Sequence, residues 1–419
     1  MARKQIVILG GGTGGTMAAN RLRRRFDSDE AEIHVVDRDD RHVYQPGLLF
    51  VPFGLAEPEK LVRSRRAQLR REIAFYEREV ESVSLEQDEV LLANGTRLPY
   101  DVLVVASGAV LQPEETEGLV WAENVHTFYE LERAVALREA LARFAGGRLL
   151  VDIVDMPIKC PVAPIEFVFL ADWWLRGRGL RERTELVLAT PLDGCFTKPI
   201  ASEHLTYLLE QKQIGLEVEF AAGEVDGAGS RLVSYDGREI PFDLLVAIPL
   251  HGGAPYVARS PGLGDALGFV PVDPHTLQAK ARPNVFAFGD ASDLPTSKAG
   301  SAAHFQGELL VENVVRFLDG SGPEPRYDGH VNCFLETGFG KALLIDFNYD
   351  LEPVPGHYPG RLGLPLLRES RLDHLGKLGF QPLYWHALLP GRSIPGIGAT
   401  MPLAGKRIPA GAAARKVGA

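Results

Sequence analysis

The chain is expected to fold as an α/β protein with two Rossmann-like domains, followed by a C-terminal region of different texture. Three features predict this. A strand, a glycine loop and a helix open the chain. A second α/β series starts near Leu149. A late apolar strand, Val285 to Phe288, runs into Gly289-Asp290. A length of 419 residues exceeds one ordinary core and leaves room for two or three domains.

The first unit starts with the β-branched run Ile6 to Leu9 and Gly10, continues through a helical stretch from about Gly14 to Phe26, and reaches a second strand, Ile33 to Val36, ending at Asp37. That order is a βαβ unit. Gly10, Gly12 and Gly15 fit GxGxxG, with Thr13 and Gly14 completing the loop. The missing side chains let backbone approach a pyrophosphate, which then rests on the helix N-terminal N–H groups. Asp37, with Arg38 beside it, stands about 20 residues on, where a carboxylate accepts hydrogen bonds from a ribose. The glycine motif alone is weak evidence, and the βαβ context strengthens it. Leu103 to Ala106 is a further buried strand, ending at Ser107-Gly108.

The helical stretch Glu132 to Phe144 precedes the second unit, whose strands are expected at Leu149 to Val154, Glu185 to Ala189 and Leu244 to Ile248. Its first strand leads into Asp155-Met156-Pro157-Ile158-Lys159-Cys160-Pro161, with no glycine loop. Pro157 and Pro161 lack the N–H donors a pyrophosphate needs. Cys160 stands there instead, before a helix beginning near Pro164. A helix N-terminus and Lys159 are both expected to favour its thiolate. Glu166 lies one turn into that helix and is a candidate acid or base, or simply a carboxylate favoured by the helix dipole. After Gly320, Gly, Pro and aromatic residues become frequent, with a strand pair expected from Val331 to Phe347. The expected divisions are 1–110, 111–260, 261–320 and 321–419, with 261–320 returning to the first domain by the flavoprotein resemblance given below.

Composition narrows the function. The net charge of -10 disfavours nucleic acid as a partner. Three cysteines, Cys160, Cys195 and Cys333, are too few for a disulfide scaffold and lack zinc-knuckle spacing. The N-terminus reads as a strand rather than a signal peptide, and no run reaches the roughly 18 apolar residues of a spanning helix. From Arg371 to Ala419 stand seven basic residues and one acidic one, interleaved with Phe380, Leu383, Tyr384, Trp385, Leu388 and Leu389. That pattern suits an anionic membrane surface, and the last dozen or so residues also suit a solvated terminus.

Several segments resemble known flavoproteins. Tyr100 to Gly108, containing Ala106, Ser107 and Gly108, is similar to a segment of two-domain flavoprotein disulfide reductases of the glutathione-reductase-like fold. Asn284 to Asp290 is similar to their late strand, where the resemblance puts Gly289 and Asp290 at FAD. Lys159 to Pro164, Leu294 to Ala303 and Tyr327 to Cys333 then resemble the sulfide:quinone oxidoreductase family over nearly the whole chain. The resemblance implies Cys160 and Cys333 as the redox pair, Lys298 beside the flavin, sulfide as substrate and a membrane quinone as acceptor. It further implies peripheral membrane attachment, with Phe334, Lys377, His374 and Phe380 as candidates near the quinone; Lys377, His374 and Phe380 equally suit a basic membrane contact. His126 takes the place of a further cysteine found in some members, so FAD is expected to be non-covalent. Cys195 reads as structural and His304 as a satisfied core histidine. The competing readings are a type II NADH:quinone dehydrogenase, a sulfide-oxidising subunit passing electrons to a cytochrome, and a redox sensor. The cytoplasmic membrane face is weakly favoured, and homo-oligomerisation is left open.

Overall fold

The computed structural model describes residues 3–394 and 397–408. Arg415 and Lys416 of the basic tail lie outside them. Strand β1 (Lys4–Leu9) carries Ile6 to Leu9 fully buried, because a parallel strand covered on both faces must be apolar throughout. Helix α1 (Thr13–Arg25) follows, then β2 (Ala31–Asp37), β3 (Ile73–Glu77) and β4 (Val102–Val105). Gly15 lets α1 pack on β1: a Cβ there would lie 1.8 Å from the Gly10 carbonyl oxygen. Three arginines, Arg23 to Arg25, occupy the last turn of α1, where the helix dipole favours cations.

The second unit comprises β5 (Val125–His126), α2 (Leu131–Arg143), β6 (Gly147–Ile153), α3 (Ala163–Gly177), β7 (Thr184–Ala189), α4 (Pro199–Gln211), β8 (Gly215–Glu217) and β9 (Leu244–Ile248). Its parallel sheet has the order β5-β9-β6-β7-β8. Strand β10 (Val285–Ala287) returns to the first sheet, giving the order β10-β4-β1-β2-β3. The expected strands and the discontinuous first sheet are therefore present.

Helix α5 (Gly300–Leu318) packs against α1, and β11 (Val331–Gly338) pairs antiparallel with β12 (Lys341–Phe347), the expected strand pair. Strands β13 (Gly356–Tyr358) and β14 (Leu364–Leu366) complete that sheet. Helix α6 (Arg371–Leu383) begins at Ser370, whose hydroxyl accepts the Asp373 N–H at 2.9 Å. A π-helical turn, Tyr384–Leu388, ends it just past Pro382.

The C-terminal residues differ from expectation in where they face. Tyr384, Trp385, Leu388 and Leu389 are all buried against the protein core. Leu372, Leu375, Leu378 and Leu383 of α6 are the exposed ones. Helical periodicity, not the presence of aromatic residues, decides which side of this segment meets its surroundings.

Candidate active site

The glycine loop is built as the motif predicts. Gly10 has φ +101°, and a Cβ there would meet the Ala106 carbonyl oxygen at 2.4 Å. Over Gly12 a Cβ would meet nothing within 4 Å, so the loop faces open space. The first turn of α1 holds no acidic residue, and no side chain caps it, which leaves Thr13, Gly14 and Gly15 at a helix end suited to an anion. Asp37 Oδ2 accepts the Gly11 N–H at 2.7 Å, while Oδ1 accepts from the Arg38 N–H at 2.8 Å and pairs with Arg65 at 2.7 Å. Burial pushes the Asp37 carboxyl up, and Arg65 pulls it back. The Arg38 side chain is exposed, its Nε 3.5 Å from Asp39. Ser107 Oγ lies 3.0 Å from the Tyr256 hydroxyl, and Gly108 stands at φ +71° with open space beside it. Gly289, at φ +64°, donates its N–H to Gln306 Oε1 at 2.7 Å and presents Asp290, whose carboxyl desolvation pushes up against the pull of Lys298 and Lys159. Open space, an uncapped helix N-terminus and the Gly289-Asp290 turn fit FAD. Lys298 spends its ammonium on the Asp290 and Ser292 carbonyls, at 3.0 and 2.7 Å, and burial brings it down to about 8.

Sequence reasoning missed a contact from the far end of the chain. The Tyr384 hydroxyl lies 2.7 Å from Thr13 Oγ1 and 2.6 Å from His42 Nε2, while His42 Nδ1 is 3.2 Å from the Gly11 carbonyl oxygen. Burial, reinforced by Arg65, brings His42 down to about 4. A neutral ring donating from Nδ1 to Gly11 and accepting the tyrosine proton at Nε2 satisfies both contacts. Tyr384→Phe is expected to weaken FAD retention about fivefold, the worth of one buried hydrogen bond of about 1 kcal/mol. Flavin release during dialysis against increasing chaotrope checks this.

The two cysteines occupy opposite supports. Cys160 stands at φ +49°, an unusual conformation for a non-glycine residue, and its peptide groups are pinned on both sides. Its N–H donates to the Lys298 carbonyl at 2.6 Å, and its carbonyl accepts from the Ala163 N–H at 2.9 Å and the Tyr129 hydroxyl at 3.2 Å. Cys333 lies on β11, next to Asn332, whose carbonyl accepts the Ser301 hydroxyl at 2.5 Å. Both are free thiols, and both pack on the same core cluster.

The expected thiolate at Cys160 is not what the surroundings favour. Burial pushes this thiol well up, and nearby Cys333 and Glu166 push it further; Lys377 opposes them. Burial likewise pushes Cys333 up to about 12, with Glu166 adding and Lys377 opposing. Desolvation outweighs the helix terminus because α3 is buried along most of its length.

Glu166 does reach this site. It is fully enclosed in α3, and its Oε2 accepts the Glu336 N–H at 2.8 Å and the Lys377 ammonium. Lys377 also donates to the Phe334 carbonyl at 3.0 Å. With only 11% of its side chain exposed, Lys377 is an internal ion-pair partner, which corrects its reading as a membrane contact. On the same side, the Phe380 ring centroid lies 6.5 Å from Tyr44 and 6.4 Å from Tyr384, and the Phe334 ring packs under Gly376. Cys195 is buried, its sulfur 3.4 Å from the Ser202 carbonyl and 3.5 Å from Thr206 Oγ1, as a structural cysteine should be. His126, in β5, lies 3.0 Å from the Glu123 carbonyl. His304 Nδ1 meets Arg21 at 3.1 Å inside the core. Among the described residues there is no cluster able to hold a metal ion, and no helix is long and apolar enough to cross a membrane.

Residues 4–151 match the pyridine nucleotide-disulphide oxidoreductase family. A mitochondrial sulfide:quinone oxidoreductase of Mus musculus is 27% identical over 397 residues, covering 92% of this chain and 86% of its own length. That of Schizosaccharomyces pombe is 28% identical over 410 residues, covering 91% and 89%. The sulfide:quinone oxidoreductase structure from Aquifex aeolicus superposes with a TM-score of 0.78 at 20% identity, over 93% of this chain and 92% of that one. This chain is thus similar to sulfide:quinone oxidoreductases along nearly its whole length. It is an oxidoreductase on the dinucleotide-binding flavoprotein fold. A type II NADH:quinone oxidoreductase of Haemophilus influenzae is also similar, at 25% identity over 75% of this chain and 81% of its own length. Where an NADH pyrophosphate would need a glycine loop, after β6, this chain has the Cys160 segment and its two prolines.

Proposed function

We propose that the chain oxidises sulfide at Cys160 and Cys333 and passes two electrons through FAD to a membrane quinone. The observation that carries this is the site in which both half-buried thiols feel one carboxylate and one ammonium, Glu166 and Lys377. FAD, when bound, supplies the two-electron sink. The chain's residues do the sulfur chemistry. A sulfur bridge between the two cysteines offers an electrophile to HS⁻, because thiolates and hydrosulfide attack bridged sulfur. Opening it leaves a persulfide on one cysteine and a thiolate on the other. Lys377 offsets the negative charge that forms in this desolvated space, and Glu166 accepts the persulfide proton. Pinning of the Cys160 peptide groups to the Lys298 segment, Tyr129 and Ala163 fixes the backbone that carries the Cys160 sulfur.

The quinone is assigned to the space beside Phe334, Lys377 and Phe380, under α6. The exposed leucines of α6, Leu372, Leu375, Leu378 and Leu383, form an apolar face suited to the membrane boundary, so that a lipid-soluble acceptor enters where the helix docks.

Anaerobic titration of the purified flavoprotein tests the reading. Sulfide is expected to bleach the flavin in wild type, a soluble quinone to restore it, and Cys160→Ala to abolish the bleaching. Bleaching by NADH and not by sulfide would move the protein to the NADH:quinone class.

A further inference from the structure

The C-terminal segment holds less free positive charge than its sequence suggests. Lys377 and Lys406 pair with buried carboxylates, Glu166 and Asp346. A chain with a net charge of -10 is repelled as a whole by an anionic surface, so attraction to one has to come from a local cluster. Such a cluster exists, and it is built mainly on the first domain rather than on the tail.

Residues 63–71 read Arg63-Ser64-Arg65-Arg66-Ala67-Gln68-Leu69-Arg70-Arg71. Arg65 turns inward to Asp37 and Asp39. Arg63, Arg66, Arg70 and Arg71 are exposed, as are Arg24 at the end of α1 and Arg392 near the C-terminus. Among the described residues, none of these six has a carboxylate as ion-pair partner. The nearby acids are Glu72, which is exposed, and Asp40, whose carboxylate accepts the Ser64 hydroxyl and the Arg66 N–H, each at 2.8 Å.

Asn20 of α1 gathers the arginines. Its side-chain amide donates to the Gln68 carbonyl at 2.9 Å and to the Leu389 carbonyl at 2.7 Å, and its oxygen accepts the Arg70 N–H at 2.8 Å. Arg24, one turn further along α1, donates to the Pro390 carbonyl at 2.9 Å. Three segments far apart in sequence thus bring Arg24, Arg70 and Arg392 together. After desolvation, the like charges of Arg70 and Arg392 are what lower the Arg24 guanidinium. Guanidinium groups held together with no carboxylate among them favour an external anion.

The cluster adjoins the apolar face of α6. The exposed leucines of that helix run to Leu383; two residues on, Trp385 turns inward and Arg63 lies over its ring, 4.3 Å from the centroid. The carbonyls that hold Asn20 and Arg24 follow at Leu389 and Pro390. Apolar and basic surfaces are therefore neighbours along one stretch of chain.

We propose that Arg24, Arg63, Arg70 and Arg392 form a docking surface for the phosphate head groups of an anionic lipid bilayer, beside the α6 leucines that enter its apolar layer. This rests on the membrane docking proposed above and adds the class of lipid that the protein selects. A guanidinium suits a layer of phosphates because its planar donors reach two oxygens at once and it stays charged at every working pH. The arginine heads stay in the phosphate layer while the leucines sit deeper. A nucleic acid also offers phosphates, but it offers nothing to the leucine face, whereas a bilayer meets both surfaces and leaves the acidic remainder of the chain in water.

Cosedimentation of the full-length holoprotein with vesicles tests this, using phosphatidylcholine alone or mixed with phosphatidylglycerol. Wild type is expected to prefer the mixed vesicles, by a margin that shrinks as salt is added. Each arginine near an anionic surface is worth about fivefold in binding, so a chain carrying Arg63→Gln, Arg70→Gln and Arg392→Gln should bind mixed vesicles about 100-fold more weakly. Its binding to phosphatidylcholine alone should not change. Should loss of Arg63 disturb Trp385, the Arg70→Gln, Arg392→Gln double variant leaves that contact in place and should lose about 25-fold. Equal binding of wild type to both vesicles, or an unchanged preference in the arginine variants, overturns the proposal. Tighter binding to a short RNA duplex than to mixed vesicles, lost in the same variants, assigns the cluster to nucleic acid and overturns it as well. Binding of wild type to neither vesicle overturns the membrane docking itself, and is seen before any variant is compared.

Discussion

Lys377→Met is expected to slow sulfide-driven bleaching at pH 7.5 by about 100-fold or more. Lys377 is the cation that acts on both thiols, and it opposes a burial that pushes Cys333 up to about 12. Every 1.4 kcal/mol or so by which the charged form is further disfavoured removes about nine-tenths of the remaining thiolate. Removing the lysine also strands Glu166, and breaking one side of a buried ion pair costs about 3–5 kcal/mol because the partner is left charged and desolvated. Glu166 already has its carboxyl pushed up by burial, and removal of Lys377 pushes it further. A raised folded-state pKa means that the charged form opposes folding: stability is whole below the ordinary carboxylate range and is lost as pH rises through the folded value. The variant should therefore melt closer to wild type at pH 5 than at pH 8. Its bleaching should recover partly as pH rises, because higher pH regenerates thiolate. Bleaching within threefold of wild type at pH 7.5 would remove Lys377 from the chemistry. Combining the change with Glu166→Gln should restore stability and leave the rate low, which separates the two effects.

The sequence carries the dinucleotide half of this protein plainly and the sulfur half incompletely, and the reason is range. The glycine loop, β1, β2 and Asp37 are local: residues 4–37 hold the pattern, and the folded chain reproduces it down to the open space over Gly12. Return of β10 to the first sheet is legible only because Asn284 to Asp290 resembles the late strand of known flavoproteins. Cys160 and Cys333, by contrast, are tied together through α3, β11 and α6, three elements far apart in the chain. Glu166 could be proposed from its position one turn into a helix, but its pairing with Lys377, 211 residues away, has no local signal. The Cys160 thiolate expectation failed for the same cause. A helix terminus and a neighbouring lysine are visible in sequence, whereas desolvation depends on what covers them. Tyr384 and His42 were unreadable because their partner is the glycine loop at the other end of the chain. His374 was legible as a candidate near the quinone, but its pairing with Glu336 has no signal short of placing β11 beside α6.

Lys406 shows how far composition misleads in the C-terminal region. As one of the seven basic residues from Arg371 onward it would suit a membrane surface, yet its side chain is 0% exposed and its ammonium pairs with Asp346, also 0% exposed. A membrane-facing role is thereby corrected to a structural one. Asp346 sits on β12, opposite Asn332 and one register position from Cys333, and its other oxygen lies 2.9 Å from His330 Nε2. The His330 ring stacks on Phe305, with centroids 4.0 Å apart. Backbone bonds complete the clamp, from the His357 N–H to the Gly405 carbonyl at 3.0 Å and from the Arg407 N–H to the Pro355 carbonyl at 2.8 Å. Lys406→Met is expected to cost about 3–5 kcal/mol, since it leaves a buried carboxylate without its cation. Asp346→Asn with Lys406→Met should recover most of that loss, because two neutral groups replace the pair. Urea unfolding of the two variants and wild type, monitored by tryptophan fluorescence, measures both. A double variant as unstable as the single one would show that packing of the lysine stem, rather than charge, holds the C-terminal segment down. The same series reports on the sulfur site. Asp346 is one of the charges that push the Cys333 thiol up, so Asp346→Asn should speed its alkylation even where stability falls. A slower alkylation would mean that the clamp acts on Cys333 through the placement of β11 rather than through its field.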